Sequence, residues 1–247
     1  MRLPKVLSIS GFDPSAGAGM LSDIKTFQTH QVYGFGVVTG ITFQNESHIR
    51  DVRWMSKHEL TSQLDVLFGK HSITAVKIGV TKDAEMLRRI VEYLRTKYQN
   101  LIIVWDPVFE SSSGFAFWKS FDKSMVHMIV DLIDLITPNL EEYTKIWGVL
   151  DGRRDYKTAV LLKTVEEDDV TVLDKLFFGN ELYTLKTRKY KGHNKHGTGC
   201  ILTAGITAGL AKGMELVQAY HNAKNTLNGY MLSSKSLLGT YQQQVEQ

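Results

Sequence analysis

His196-Gly197-Thr198-Gly199-Cys200 runs without a break into the apolar-periodic segment Ile201 to Leu210. Two glycines and a threonine open a helix, and the one cysteine of the protein stands at its start. Backbone N–H groups at a helix N-terminus, with the positive end of the dipole behind them, bind anions such as phosphate. Glycine lets the anion approach the backbone closely. The same field is expected to make Cys200 more acidic than a free thiol. A lone cysteine is otherwise usually a small buried hydrophobe, but its place directly after Gly-Thr-Gly argues for a polarised thiol and phosphate-transfer chemistry. His196 either contacts a phosphate or lies idle on the surface, and the sequence leaves both open.

Working outward, the 247 residues and 43% hydrophobic content suffice for one substantial core, and no Pro- or Ser-rich linker divides the chain. Residues 1–247 are therefore read as a single α/β domain. A formal charge of +3 is mild, and Lys and Arg alternate with Asp and Glu almost throughout, which argues against nucleic acid as a partner. The one short basic stretch, Lys186 to Lys195, precedes the glycine cradle and suits a phosphorylated small molecule. A single cysteine forms no internal disulfide and points to a reducing compartment. Met1 to Lys5 lacks a signal-peptide apolar core, and no apolar run approaches the roughly 20 residues that cross a membrane. The expectation is a soluble cytoplasmic protein.

Short β-branched runs alternate with amphipathic stretches. Strands are read at Val6–Ser10, Phe35–Thr42, Ala75–Ile78, Leu101–Trp105, Asp134–Thr137 and Ala159–Leu162. Helices are read at Met20–His30, Lys57–Phe68, Ala84–Tyr98, Lys123–Ile133, from Asn139, and from Glu215 to about Ser234. Such alternation predicts a mostly parallel sheet with helices on both faces. Val170–Phe178 and Glu181–Arg188, separated by Gly179-Asn180, break the pattern as an antiparallel edge hairpin. Gln242 to Gln247 reads as a frayed polar tail.

Three loops fall where strands of an open α/β sheet end and ligands bind. Gly11-Phe12-Asp13-Pro14-Ser15-Ala16-Gly17-Ala18-Gly19 fails as a dinucleotide fingerprint, because Ser22 stands where a third glycine belongs. It also fails as a Walker loop, since no Gly-Lys-Ser/Thr follows; a tight turn with Asp13 bonding its own backbone remains open. Asp106-Pro107 aims a carboxylate past the sheet edge, either toward a metal-bound phosphate or as a strand-ending turn. Asn139 and Glu142 both reach one side of a helix start. They either hold Mg²⁺ through its waters or form a capping box. The histidines show no metal-ligand spacing, so no zinc site is expected.

Taken together, these segments resemble the ribokinase-like superfamily and, within it, the hydroxymethylpyrimidine/phosphomethylpyrimidine kinases of thiamin biosynthesis. The carriers, in order along nearly the whole chain, are the Gly11–Gly19 loop with Asp23-Ile24-Lys25-Thr26, Tyr33-Gly34 and Thr42-Phe43-Gln44-Asn45. Lys77-Ile78-Gly79, Asp106-Pro107-Val108, Thr137-Pro138-Asn139-Leu140 and His196–Cys200 complete the set. The resemblance implies a three-layer α/β sandwich that phosphorylates a small aminopyrimidine and then its monophosphate, using ATP and Mg²⁺. It implies that Gly11, Asp13 and Gln44 bind the pyrimidine, with Val80 as an apolar wall in place of the usual methionine. Asn139 is implied at the phosphates, Glu142 at Mg²⁺ through water, and Gly197, Thr198 and Gly199 as an anion hole; Asp106, Lys163 and Lys195 are expected at the ATP phosphates beside them. Cys200 would take the catalytic-base position. Relatives are commonly homo-oligomers, and a dimer is expected.

Two positions depart from the family pattern. After Lys163 the family usually has Gly-Gly-His, a turn beside the nucleotide phosphates, whereas this chain has Thr164-Val165-Glu166 followed by Glu167, Asp168 and Asp169. Lys195 stands where threonine is common, and it is expected to supply positive charge that partly offsets the acidic loop. Two other functions remain in play. Some relatives with this cysteine act on vitamin B6 aldehydes, so a pyridoxal kinase is the rival enzyme, and a non-catalytic metabolite binder is the rival outside catalysis.

Overall fold

The computed structural model describes residues 3–148, 156–190 and 195–241. In chain order the elements are β1 (Lys5–Phe12), α1 (Gly19–Thr29), β2 (Tyr33–Gln44), β3 (Ile49–Trp54), α2 (Lys57–Phe68), β4 (Ala75–Ile78), α3 (Ala84–Lys97) and β5 (Ile102–Trp105). They continue with α4 (Lys123–Val130), β6 (Leu135–Ile136), α5 (Leu140–Trp147), β7 (Tyr156–Glu167), β8 (Thr171–Gly179), β9 (Glu181–Arg188), α6 (Thr198–Ala211) and α7 (Leu216–Leu232). The strands form one sheet ordered β3-β2-β1-β4-β5-β6-β7-β8-β9. Pairing is parallel from β2 to β7 and antiparallel at both ends.

Side-chain alternation divides the core into two layers. Leu7, Ile9, Val76, Ile78, Ile103, Trp105 and Ile136 face α2 to α5. Their sequence neighbours Val6, Ala75, Val104, Leu135 and Ala159 face α1, α6 and α7. Both faces are covered, so the central strands are apolar on consecutive residues. Helix α6 lies wholly inside: Ile201 to Gly209 are all buried, which explains why its sequence is apolar all round. Gly205 and Gly209 face Ala223 and Ala219 so closely that a Cβ on either would sit under 3 Å from α7.

The edge hairpin forms as the sequence predicts, but two strands depart from expectation. No strand is read at Ile49–Trp54, yet β3 pairs antiparallel with β2 at the other edge. Arg50, Asp51 and Arg53 are exposed there, and an edge strand with one wet face lacks the apolar run that marks the central strands. Strand β7 is also longer than Ala159–Leu162, and Thr164-Val165-Glu166, expected as a turn, lies within it. The polar tail from Gln242 falls outside the described residues. Among the described residues no helix is long and apolar enough to cross a membrane.

The register between β7 and β8 slips between Leu162 and Glu166. At the slip Thr164 adopts φ +51°, a left-handed conformation unfavourable for a β-branched residue. Its N–H donates to Asp174 Oδ1 at 2.7 Å. Asp174 is fully buried and also accepts from Tyr220 Oη at 2.7 Å and Lys224 Nζ at 2.8 Å. The strain therefore sits where the family resemblance has glycine, and a buried carboxylate holds it. Thr164→Gly is expected to stabilise the protein by about 0.5–1 kcal/mol, the relieved left-handed strain less the entropy cost of glycine. Urea unfolding checks this, and a lower midpoint would show the bulge to be unstrained.

Candidate active site

The carboxyl ends of the parallel strands open into a cavity of about 370 Å³, within the range of small-molecule sites. One end is lined by Gly11, Thr42, Gln44, Ile49, Val80 and Phe117. The middle is lined by Asp106, Asn139, Glu142, Lys163 and Gly197 to Cys200, and the far end by Thr164, Asp174, Leu202, Lys224 and Leu227.

The cradle between the two ends depends on two backbones meeting. Gly197 has φ +79°, and a Cβ there would collide with the carbonyl oxygen of Gly17. A Cβ on Gly17 would in turn lie 2.7 Å from both His196 Cδ2 and Leu238 Cδ2. Only glycines let the 11–19 loop and the start of α6 touch. Helix α6 has no side-chain cap at Gly197, so its first turn presents N–H groups to a ligand. A Cβ on Gly199 would point toward Lys163 Nζ, 3.6 Å away, so the glycine leaves that space to an anion.

Asp13 organises the loop opposite. It accepts from Ser15 N and Oγ at 2.8 Å, Ala18 N at 2.9 Å and His196 Nε2 at 2.9 Å, and from the Gln44 side chain. Burial opposes its ionisation, but these bonds hold the carboxyl well below the usual range. The structure thus realises the backbone-bonding reading of Asp13 and gives His196 a partner. Because a carboxylate only accepts, the Gln44 amide turns its NH₂ toward Asp13 and keeps its carbonyl oxygen as an acceptor for a ligand. Val80 is buried at the same end, its carbonyl accepting from Thr39 Oγ1 at 2.7 Å.

Beneath the cradle lies a row of buried charges. Asp23 of α1 accepts from Ser8 Oγ and Lys77 Nζ, both at 2.6 Å. Lys77 Nζ lies 3.9 Å from Asp106 Oδ2, and Asp106 Oδ1 accepts from Lys163 Nζ at 2.9 Å and Thr137 Oγ1 at 3.2 Å. Asp23, Lys77 and Asp106 are all at most 1% exposed. Burial raises a carboxyl pKa, but Lys163 and Lys77 together keep that of Asp106 lowered. Burial likewise works against the Lys163 ammonium, and Asp106 and Glu142 outweigh it. Lys77 and Asp23 carry no role in the sequence reading beyond marking the family. A lysine inside the apolar strand Ala75-Val76-Lys77-Ile78 was the available signal.

Asn139 and Glu142 form a capping box: Glu142 N donates to Asn139 Oδ1 and Asn139 N to Glu142 Oε2, both at 2.8 Å. The cap does not remove Glu142 from the cavity, which its carboxyl lines. Burial pushes Glu142 up to about 7, with Lys163 acting against the shift and Asp106 with it.

One expectation is corrected and one is narrowed. Cys200 is not acidic: burial pushes its thiol up to about 11, outweighing Lys77, with Asp23 and Asp106 adding to the rise. Desolvation of the thiolate defeats the favourable field at the helix start. Lys195 lines the cavity and keeps its charge, but it is not a free donor toward a nucleotide. Its Nζ donates to Ser234 O, Ser234 Oγ and Ser236 O, each at 2.6 Å, which uses all three ammonium donors.

Comparison with known proteins agrees with this geometry. A family model described as phosphomethylpyrimidine kinase matches residues 13–245. The hydroxymethylpyrimidine/phosphomethylpyrimidine kinase of Staphylococcus aureus strain MSSA476 is 33% identical over 241 residues, covering 91% of this chain and 87% of its own. The phosphomethylpyrimidine kinase structure from Clostridium difficile 630 superposes with TM-score 0.73 at 29% identity, covering 91% of this chain and 98% of that one. The pyridoxal kinase of S. aureus in complex with pyridoxal superposes with TM-score 0.82 at 25% identity, covering 98% and 94%.

The raised Glu142 carboxyl makes a stability prediction. Its ordinary value is about 4.3, so between there and about 7 the native state binds more protons here than the unfolded chain. Stability contributed at this position therefore falls as pH rises through that window. Glu142→Gln keeps an acceptor for the cap, and it is expected to remove this slope and to stabilise the ligand-free protein at pH 8 by up to about 3–4 kcal/mol. Denaturant unfolding of both proteins at pH 5 and pH 8 checks it. Parallel pH profiles would mean that Glu142 titrates normally.

Proposed function

The chain belongs to the phosphomethylpyrimidine kinase family and is a phosphotransferase, and from that premise we propose how its site works. It transfers the γ-phosphoryl group of ATP to the hydroxymethyl group of 4-amino-5-hydroxymethyl-2-methylpyrimidine, then phosphorylates the monophosphate, supplying the pyrimidine half of thiamin. One observation carries this reading. A single cavity joins a pocket read by Gln44 and Gly11 to the uncapped start of α6, with Cys200 between them.

Gln44 Oε1, left as an acceptor by Asp13, suits the amino group of the pyrimidine, while the remaining amide N–H suits a ring nitrogen. Val80 and Phe117 supply apolar walls. Gly197, Thr198 and Gly199 receive the transferring phosphoryl oxygens on backbone N–H groups, and Lys163 adds a cation from the opposite side. Phosphoryl transfer needs positioning and charge neutralisation more than covalent help.

The donor set fits Mg²⁺. Among the described residues no group of three or more His, Cys, Asp or Glu side chains would enclose a metal. Mg²⁺ keeps several waters and takes one or two carboxylates plus substrate phosphates. Asp106 Oδ2 is buried with no hydrogen-bond partner, and Glu142 lines the same cavity, so these two would hold the ion or its waters. When bound, Mg²⁺ would neutralise charge on the phosphates.

As the hydroxymethyl oxygen bonds to the γ-phosphorus, the bond to the ADP oxygen breaks and the hydroxyl proton leaves. With its thiol raised to about 11, Cys200 enters the reaction protonated at neutral pH. Its sulfur orients the attacking hydroxyl as a weak acceptor, and the proton leaves late, to a phosphoryl oxygen. The second step has a phosphate acceptor and needs no such orientation. The lone cysteine supports a cytoplasmic setting, the single sheet supports one domain over residues 1–247, and the resemblance supports a homodimer.

Incubation with ATP, Mg²⁺ and the pyrimidine alcohol is expected to yield monophosphate and then diphosphate, with pyridoxal turned over at lower kcat/KM. Cys200→Ala is expected to slow the first step about tenfold or more relative to the second. Preference for pyridoxal would move the assignment to the vitamin B6 branch, and equal loss of both steps would remove the acceptor-specific role of Cys200.

A further inference from the structure

The segment after α7 turns back over the site. Lys195 Nζ is anchored on Ser234 and Ser236 by three hydrogen bonds of 2.6 Å. The next residue continues the attachment, since His196 N donates to Leu237 O at 2.9 Å. Leu238 packs into the space that a side chain on Gly17 would occupy. Tyr241 Oη lies 2.7 Å from Ser22 Oγ on α1, and its ring packs on Tyr230 at 5.0 Å between centroids.

We propose that Ser233–Tyr241 is a strap that positions the anion cradle, and that Lys195 is its anchor and a positioning residue for phosphoryl transfer. The strap touches both loops that form the cradle. Lys195 and His196 fasten it to the entry of α6, while Leu238 and Tyr241 fasten it to the 11–19 loop and the helix behind it. Gly197 follows directly, and its left-handed turn aims the first N–H groups of α6.

The physical cause is a match of buried partners. Lys195 is only 9% exposed, and its acceptors Ser234 O and Ser236 O lie in the turn just beyond Ser233, the C-cap of α7, near the negative end of the helix dipole. A cation there satisfies these carbonyls and meets that field. A threonine at this position would have one hydroxyl donor in place of three and a much shorter reach, so the anchor requires the lysine.

The inference rests on the kinase reading for its catalytic consequence, and the sole cysteine supplies a reporter that does not. Cys200 lies in the first turn of α6, so its alkylation by iodoacetamide senses displacement of the cradle without any turnover. Lys195→Met is expected to change the Cys200 alkylation rate several-fold well below the melting temperature. It is also expected to lower kcat by about 10–100-fold, the scale of an ångström misplacement, with the ATP KM and its salt dependence nearly unchanged. Leu238→Ala, a milder cut in the same strap, should act in the same direction, and the double variant should fall little below Lys195→Met alone.

A raised ATP KM with an altered salt slope and unchanged kcat would overturn the proposal in favour of direct nucleotide contact. A lowered melting temperature with unchanged alkylation and kcat would overturn it in favour of a purely structural lysine. If wild-type protein phosphorylates neither alcohol, the kinase reading fails, while the alkylation comparison still decides the strap.

Discussion

Two carboxylates and two ammonium groups alternate beneath the anion cradle as Asp23, Lys77, Asp106 and Lys163, and the placement of the site depends on them. They come from α1, β4, the end of β5 and β7, elements scattered through the sequence and joined only by the sheet. An unpaired charge at such depth is costly, and breaking a buried pair by removing one partner typically costs about 3–5 kcal/mol. Sliding any of these elements by one residue would leave such a charge alone. The row therefore constrains register, and it sets Lys163 opposite Gly199 and Asp106 in the cavity wall. Thr137 links it to α6 through Thr203, 2.9 Å away.

Above this row the chemistry is divided between two surfaces that only glycine can bring together. Asp13 ties Gln44, at one end of the cavity, to His196, which leads into the start of α6. In the proposed reaction, acceptor recognition and phosphate binding are thus joined by one saturated carboxylate. The same economy explains why Asn139 and Glu142 satisfy both the capping reading and the cavity reading. A capping box uses one carboxylate oxygen of Glu142, and the carboxyl still lines the cavity. The two readings compete only when judged from spacing.

The parallel core was legible because consecutive buried positions and the helical period announce themselves locally. Strand β3 was not, since a half-wet edge with Arg50, Asp51 and Arg53 carries no such run. The glycine cradle was legible at Gly197–Gly199, where residue type states the backbone requirement. The bulge at Thr164 was hidden, because its left-handed turn is imposed by Asp174, ten residues away, and not by the residue itself. Cys200 shows the limit most plainly. Its neighbours in sequence promise a low pKa, but the desolvation that reverses it arises from tertiary burial. Lys195 likewise reads as a free donor until the chain returns at Ser234.

The most direct test of the buried row is a double-mutant cycle at Lys77 and Asp23, measured by denaturant unfolding and by turnover. Lys77→Met alone should cost about 3–5 kcal/mol and slow transfer, because it strands Asp23 and weakens the hold on Asp106. Adding Asp23→Asn should recover a large part of that loss in stability. Single effects that simply add, or a Lys77→Met protein with native stability and full turnover, would contradict the claim that this paired row holds the site in place.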